Sequence, residues 1–228
     1  MRHALAFFLV LLVPVLDVWS TRRLKRSTDP NKKIRAYLGT MVLLWLASAC
    51  AWALDRPGFF YPLSSRARLG WSFDRTFVYG MAVALVAMLL FPVLLAKINK
   101  KFRQGLQKSM AKLSFFLPAT QTERRLFVAV SLTAGICEET LYRGYLSHYL
   151  IRDWRVGMAT ALLIQALVFG LAHCYQGFRG IFLTAFLGFW FAVIYLATGS
   201  LLWPMAIHAA VDLRILLFPV PAFFPEEG

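Results

Sequence analysis

The second half of the chain carries few charged residues, and several of them stand inside apolar runs. Between residues 126 and 218 the only acids are Glu138, Glu139, Asp153 and Asp212. Asp153 lies beside two arginines in a short polar stretch, whereas the other three lie within long apolar segments. A carboxylate in such a segment needs a cation or a hydrated cavity, because its burial in an apolar medium is costly. The three acids therefore predict a site that does chemistry.

The spacing of the first two acids predicts different roles for them. Glu139 and Arg143 are four residues apart, so on a helix they share a face and can form an ion pair. Glu138 is rotated by about 100° from its neighbour and has no cation at a matching spacing. We predict that Glu139 and Arg143 support the structure and that Glu138 is available for acid–base chemistry. Tyr142, one turn after Glu138, is expected to support the site by packing or by a hydrogen bond.

Two histidines lie in the apolar runs that follow. Phe169 precedes His173 by one helical turn, and Gly170 between them would allow a second helix to approach closely. His208 and Asp212 are four residues apart, so this carboxylate can orient or charge the imidazole.

Glu138, His173, His208 and Asp212 form a coherent hydrolytic set. A buried carboxylate can act as a general base toward water. Imidazoles can donate hydrogen bonds to the negative charge that develops during attack on a carbonyl. This chemistry requires no cofactor and no metal, and we predict neither.

Three segments resemble, in order and spacing, the motifs of a known family. They are GICEETLYRGYL (135–146), FGLAH (169–173) and HAAVD (208–212). The family is the CPBP group of intramembrane glutamic proteases, which contains CAAX-processing and bacteriocin-linked membrane proteases and the eukaryotic Ras-converting enzyme. The resemblance extends over roughly residues 120–218.

The resemblance implies a role for each matching residue. Glu138 and His173 would activate water, and His208 with Asp212 would stabilise the oxyanion. The supporting residues would be Glu139, Arg143, Phe169 and Tyr142. The last family motif ends in Asn or Asp, and an ionised Asp cannot donate a hydrogen bond. Asp212 is therefore either protonated or acts by holding His208.

The elements that position these residues are predicted to be membrane helices. The chain is 59% hydrophobic and only 16% charged, against about 25% charged residues in soluble domains. Apolar runs long enough to cross a ~30 Å hydrocarbon core recur along the chain. The predicted spans are 3–19, 36–54, 76–96, 125–147, 157–175, 180–198 and 201–218. The predicted fold is an all-α, polytopic membrane helix bundle with about seven to eight transmembrane helices.

The net charge of +14 lies mostly in two segments between spans. Residues 21–35 hold seven Lys and Arg against one acid, and residues 97–112 hold six and no acid. This is typical of cytoplasmic loops that face anionic lipids, and it argues against nucleic-acid binding. We predict a multi-pass protein of the cell (inner) membrane with both segments cytoplasmic and the loop 55–75 external.

Other local patterns predict how the chain is organised. Residues 97–117 show helical spacing of apolar residues with lysines on the other faces, which is typical of a basic amphipathic helix at the interface. Residues 120–123 resemble a helix N-cap. We divide the chain into residues 1–112, with N-terminal spans and this helix, and residues 113–228, the catalytic core. Asp17, near the end of the first span, is expected to be interfacial.

The predicted function is intramembrane hydrolysis of a peptide bond in a membrane-associated protein or peptide. Prenylated CAAX termini, leader peptides and membrane-anchored sorting segments are the substrate classes considered, and no oligomeric state is specified. One alternative is a catalytically silent membrane scaffold or immunity protein of the same family. A second is a zinc-dependent peptidase with Glu139, His173 and His208 as ligands. A proton-coupled transporter is disfavoured, because no internal repeat is detectable.

Overall fold

The structure is a computed structural model that describes residues 1–54 and 75–218. All regular elements in these residues are helical, as predicted. The described part contains eight helices: α1 (Arg2–Arg26), α2 (Lys32–Leu54), α3 (Arg75–Ile98), α4 (Lys100–Ala111), α5 (121–152), α6 (Met158–Leu171), α7 (Gly177–Thr198) and α8 (Leu202–Leu213). Each predicted span overlaps one of these helices, although the predicted spans 157–175 and 201–218 extend past the ends of α6 and α8. The predicted external loop 55–75 lies, except for its last residue, outside the described residues.

Three helical segments are long and apolar enough to cross a membrane. They are Arg2–Arg26, Lys32–Leu54 and Cys174–Thr198, the last being α7 with the short 3-10 turn that precedes it. Two shorter apolar helical segments are Val86–Ile98 and the 14-residue α6. The described helices thus form an all-helical membrane protein. The number of transmembrane helices stays a prediction.

Helix α5 lies at the centre of the bundle and packs against both α2 and α8. Its start is a capping box: Thr120 Oγ1 accepts from the Glu123 backbone N–H at 3.2 Å, and Glu123 Oε2 accepts from the Thr120 N–H at 3.3 Å. The predicted N-cap is thus confirmed. The close contact with α8 requires Gly135, since a Cβ there would lie 2.8 Å from the Met205 carbonyl oxygen.

Helices α6 and α7 form an antiparallel hairpin with the most extensive contact in the bundle. Gly170 permits this contact, because an added Cβ would lie 2.6 Å from the Ile181 carbonyl oxygen and 2.8 Å from Ala185 Cβ. Gly170 therefore has the packing role that the sequence predicted. The hairpin turns at Gly177, whose φ of +78° is accessible mainly to glycine.

The two basic segments lie at the same end of the bundle. Lys25, near the end of α1, places its Nζ 4.6 Å from the centre of the Phe115 ring, just beyond α4. Lys33, at the start of α2, donates from Nζ to the Leu117 carbonyl oxygen at 2.7 Å. A basic helix at the predicted place is present as α4, which packs Met110 against Leu117 and exposes its lysines. One end of the bundle thus carries both basic segments.

Candidate active site

The two glutamates lie at the point where α5 changes its winding. Residues Gln121–Glu139 are α-helical, and Thr140–Leu146 form a π-helical segment before regular helix resumes. All seven residues of the π-helical segment are buried. Such local widening of a helix is frequent at functional sites. Nothing in the sequence pattern predicted this change.

Arg143 and Glu139 form the expected ion pair, fully buried. Arg143 Nη1 donates to Glu139 Oε1 at 2.9 Å, and neither side chain is exposed. The guanidinium carbon lies 4.2 Å from the Phe169 ring centre and 5.4 Å from that of Phe191. The cation is therefore held by one carboxylate and two aromatic faces.

The same guanidinium is short of hydrogen-bond partners. Arg143 Nε and Nη2 are buried and have none among the described residues. Gly188 on α7 provides the space they occupy, because a Cβ there would lie 2.9 Å from Nη2 and 2.8 Å from Phe169 Cδ1. Gly188 and Phe191 were not predicted from the sequence. The only signal for them was a glycine among the aromatic residues of an apolar span.

His208 on α8 is oriented by Glu139, which belongs to a different helix. His208 Nδ1 lies 2.8 Å from Glu139 Oε1, the same oxygen that receives Arg143. The imidazole stacks on Phe191 with ring centres 5.2 Å apart, and Phe169 meets its edge at 5.7 Å. Because Nδ1 donates to the carboxylate, Nε2 is the nitrogen that faces the site.

Asp212 lies on the other side of the His208 ring. Its Oδ2 is 3.8 Å from His208 Nε2, which exceeds hydrogen-bonding distance, and its side chain is partly exposed. The sequence allowed Asp212 to hold the ring. In the structure the ring donates its hydrogen bond to Glu139, and Asp212 borders the nitrogen that faces the site.

His173 follows the end of α6 and is fixed by the main chain. Its Nδ1 lies 2.8 Å from the Phe169 carbonyl oxygen, and its ring packs 4.8 Å from the Phe169 ring. A straight helix over the whole predicted span 157–175 would place His173 near the end of that span, away from Glu138 and His208. The structure resolves this by ending α6 at Leu171 and turning at once into the 3-10 segment Cys174–Gln176.

Glu138 faces both imidazoles. Its Oε2 lies 3.8 Å from His173 Nε2 and 3.9 Å from His208 Nε2, and it has no hydrogen-bond partner among the described residues. Tyr142 packs edge-on against Phe169, with ring centres 5.1 Å apart. The four predicted reactive residues and their four predicted supports thus form one cluster built by α5, by α6 with the turn that follows it, and by α8.

A residue of the first helix reaches the same turn. Asp17 Oδ2 accepts from the Tyr175 backbone N–H at 3.3 Å and lies 3.7 Å from Cys174 Sγ. The expectation that Asp17 is interfacial did not include this contact. No pattern in the sequence linked the first span to residues 174–176.

One of the three zinc ligands considered from the sequence, Glu139, already has other partners in the structure. Glu139 Oε1 is already engaged by a guanidinium and an imidazole N–H. Within residues 1–54 and 75–218, no group of three or more His, Cys, Asp or Glu side chains is arranged to hold a metal ion.

Comparison with known proteins assigns the part of the chain that forms this site. Residues 120–214 match the family model described as type II CAAX prenyl endopeptidase, Rce1-like. No curated protein and no solved structure matches the chain. The matched segment contains every residue of the cluster formed by α5, α6 and α8. From residue 120 to residue 214, this membrane protein is therefore similar to the Rce1-like CAAX protease family, which supports the resemblance found in the sequence.

Proposed function

We propose that the protein is an intramembrane endopeptidase of the glutamic type. The observation that carries this proposal is the approach of one unpartnered glutamate oxygen to two imidazole nitrogens, at 3.8 and 3.9 Å, inside an apolar bundle. The substrate is a membrane-associated protein or peptide, as the CAAX protease family implies. Membrane lipids are its other partners, and nucleic acid is not one.

Glu138 and His173 activate the attacking water. His173 Nδ1 carries its hydrogen toward the Phe169 carbonyl, so in the neutral ring Nε2 is an acceptor. A water within reach of this nitrogen and of Glu138 Oε2 can donate one hydrogen to each. Attack on the scissile carbonyl then transfers a proton to Glu138, which returns it to the leaving amine.

His208 stabilises the oxyanion as an imidazolium. Its Nδ1–H is used by Glu139, so a second N–H at Nε2 is required for donation to the substrate oxygen. Three carboxylates, those of Glu138, Glu139 and Asp212, lie around this ring and favour its charged form. A preoriented charged donor in a water-poor site strongly stabilises a developing oxyanion.

Asp212 acts through His208 in this mechanism. Its oxygen borders Nε2 without a direct hydrogen bond, so its negative charge stabilises the imidazolium. The alternative is a protonated Asp212 that donates directly to the oxyanion.

The remaining parts of the chain support this centre. The proposed catalytic core, residues 113–228, contains all the reactive groups, and the described helices of residues 1–112 pack around them. We place the protein in the cell (inner) membrane with residues 21–35 and 97–112 on the cytoplasmic side, since both segments lie at one end of the bundle.

The proposal is tested by replacing Glu138 with glutamine. This change keeps the shape of the side chain and removes the base, so cleavage should be lost while expression and folding are retained. Proteomics of membrane-peptide termini, with the wild-type chain and with this variant, would identify the substrate and measure cleavage. Turnover should persist with phenanthroline in detergent. Loss of turnover on chelation and its recovery with zinc would instead support the zinc peptidase. A biological effect that survives Glu138→Gln without any cleavage would support the scaffold.

A further inference from the structure

One exposed face of α1 changes from apolar to basic along its length. Val15 and Leu16 are exposed, and Trp19 follows on the same face with 57% exposure. The next residues on this face are Arg22, Arg23 and Arg26, which are also exposed. The spacing 19, 22, 23, 26 is that of one helical face.

These residues surround a cavity at the basic end of the bundle. It has a volume of about 580 Å³ and is lined by Trp19, Arg22, Arg23, Arg26 and Ser27. The Arg23 guanidinium carbon lies 5.5 Å from the centre of the Trp19 ring. No acidic side chain in the described part of the chain pairs with any of the three arginines. The cavity therefore holds concentrated positive charge next to an apolar helix face.

We propose that this cavity binds the phosphate of an anionic phospholipid headgroup. Guanidinium groups bind phosphate oxygens through paired N–H donors, and tryptophan favours the level of the headgroups. The exposed Val15 and Leu16, one turn before Trp19, offer a surface for the acyl chain. If the arginines served only to orient the chain in the membrane, their charges could lie on any face of the segment. Here three arginines share one face around a cavity, whereas Lys25 points away, toward Phe115.

Native mass spectrometry of the purified full-length chain tests this site. Phosphatidylglycerol should be retained as one adduct per chain, and phosphatidylcholine should not. The triple replacement of Arg22, Arg23 and Arg26 by Gln should weaken phosphatidylglycerol binding on the order of 100-fold. The matched control replaces three exposed lysines of α4, namely Lys100, Lys101 and Lys108, and should bind as the wild type does.

Each other outcome overturns the proposal. Equal losses in both triple variants would mean general attraction to a basic surface. Displacement of the lipid by millimolar inorganic phosphate would mean a site for free phosphate. Equal retention of phosphatidylcholine would mean that only the acyl chains are bound.

A second inference rests on the proposed function and on a different contact. The geometry assigns Asp17 as a positioning residue for His173. Its carboxylate accepts from the Tyr175 N–H, and Cys174 Sγ lies 3.8 Å from the Pro14 carbonyl oxygen in the same helix. The first helix therefore holds the 3-10 turn that directly follows His173, at two points.

The acceptor, rather than the charge, is what this role requires. Asp17→Asn keeps an acceptor oxygen and should retain cleavage, whereas Asp17→Ala should lower kcat by about 10- to 100-fold with a smaller change in KM. In a Cys50→Ser background, Asp17→Ala should also speed alkylation of Cys174, while Asp17→Asn should not. Cys137, the third cysteine, is buried.

The cleavage rate and the alkylation rate of Cys174 separate this inference from the proposed function on which it rests. A wild type without Glu138-dependent cleavage would refute the proposed function, and the alkylation rates would still decide whether Asp17 holds the turn. A wild type that cleaves, with Asp17→Ala equal to it in kcat and in alkylation, would refute the role of Asp17. Equal impairment of the Asn and Ala variants would assign the effect to charge and refute positioning.

Discussion

Replacing Glu139 with glutamine should destabilise the protein far more than the same change at Glu138. Glu139 Oε1 receives Arg143 at 2.9 Å and His208 at 2.8 Å, and both partners are buried. Glutamine keeps a carbonyl oxygen of the same size. It removes the counter-charge and leaves a guanidinium with no exposure and no neutralising anion in contact.

The expected loss follows from the burial of the pair. Removing one partner of a fully buried ion pair costs about 3–5 kcal/mol. Other hydrogen bonds do not compensate Arg143 for this loss, because its Nε and Nη2 already lack hydrogen-bond partners in the described structure. For soluble domains of this length, about 1 kcal/mol corresponds to about 2–4 °C in Tm. On that scale Glu139→Gln should lower Tm by roughly 6–20 °C.

Thermal unfolding in detergent, followed by tryptophan fluorescence, measures this difference. Glu138→Gln is the matched control, because it makes the same isosteric change one residue earlier on the same helix. Its Oε2 is buried without a hydrogen-bond partner, so removing that charge should leave Tm unchanged or raise it.

Two results would refute the reasoning. Glu139→Gln at the wild-type Tm would mean that the buried cation does not depend on this carboxylate. Destabilisation by Glu138→Gln, together with full cleavage activity in that variant and loss of cleavage in a folded Glu139→Gln variant, would reverse the two roles.

Three further predictions address packing, charge and topology. Gly188→Ala should cost about 1–3 kcal/mol of stability and reduce cleavage, because its Cβ would lie within 3 Å of the buried guanidinium and phenyl ring. The control Gly39→Ala, where a Cβ would have nothing within 4 Å, should be neutral or stabilising. Equal effects of the two changes in thermal melts would contradict this prediction. Asp212→Asn should slow cleavage and move the alkaline limb of the pH–rate profile to lower pH, because loss of a nearby negative charge favours the neutral imidazole; retained or higher activity would show that Asp212 donates directly. In a chain without native cysteines, Cys at positions 25 and 101 should both be labelled only from the cytoplasmic side, and labelling of position 101 only from outside would overturn the orientation.

Helical spacing was enough to predict the local parts of the site. Residues four apart on a regular helix share a face, so the Glu139–Arg143 pair could be read from the sequence. The capping box at Thr120 and the close approach at Gly170 also depend on neighbours within one element. The helices could likewise be predicted from the length and hydropathy of each segment, because these are also properties of a single element.

Contacts between distant elements could not be read in this way. His208 is held by Glu139 from another helix, although its own helix offers Asp212 at an ideal spacing. Gly188 matters only because Arg143 and its stacking ring occupy the adjacent space. Asp17 meets the turn after His173 only once α1 has packed. Such preferences depend on tertiary geometry, which one sequence does not encode locally.

The shortness of α6 has a consequence for the supply of water. Its 14 residues rise about 21 Å, roughly 9 Å less than a ~30 Å hydrocarbon layer. The chain reverses at that depth, so the polar main chain of the turn and His173 would sit below the level of the lipid glycerols unless the layer thins beside them. In both cases polar main chain lies close to the apolar interior where the hairpin ends. Each hydrolytic event consumes one water molecule, and such a polar turn beside His173 would let solvent enter the layer on the side of the site.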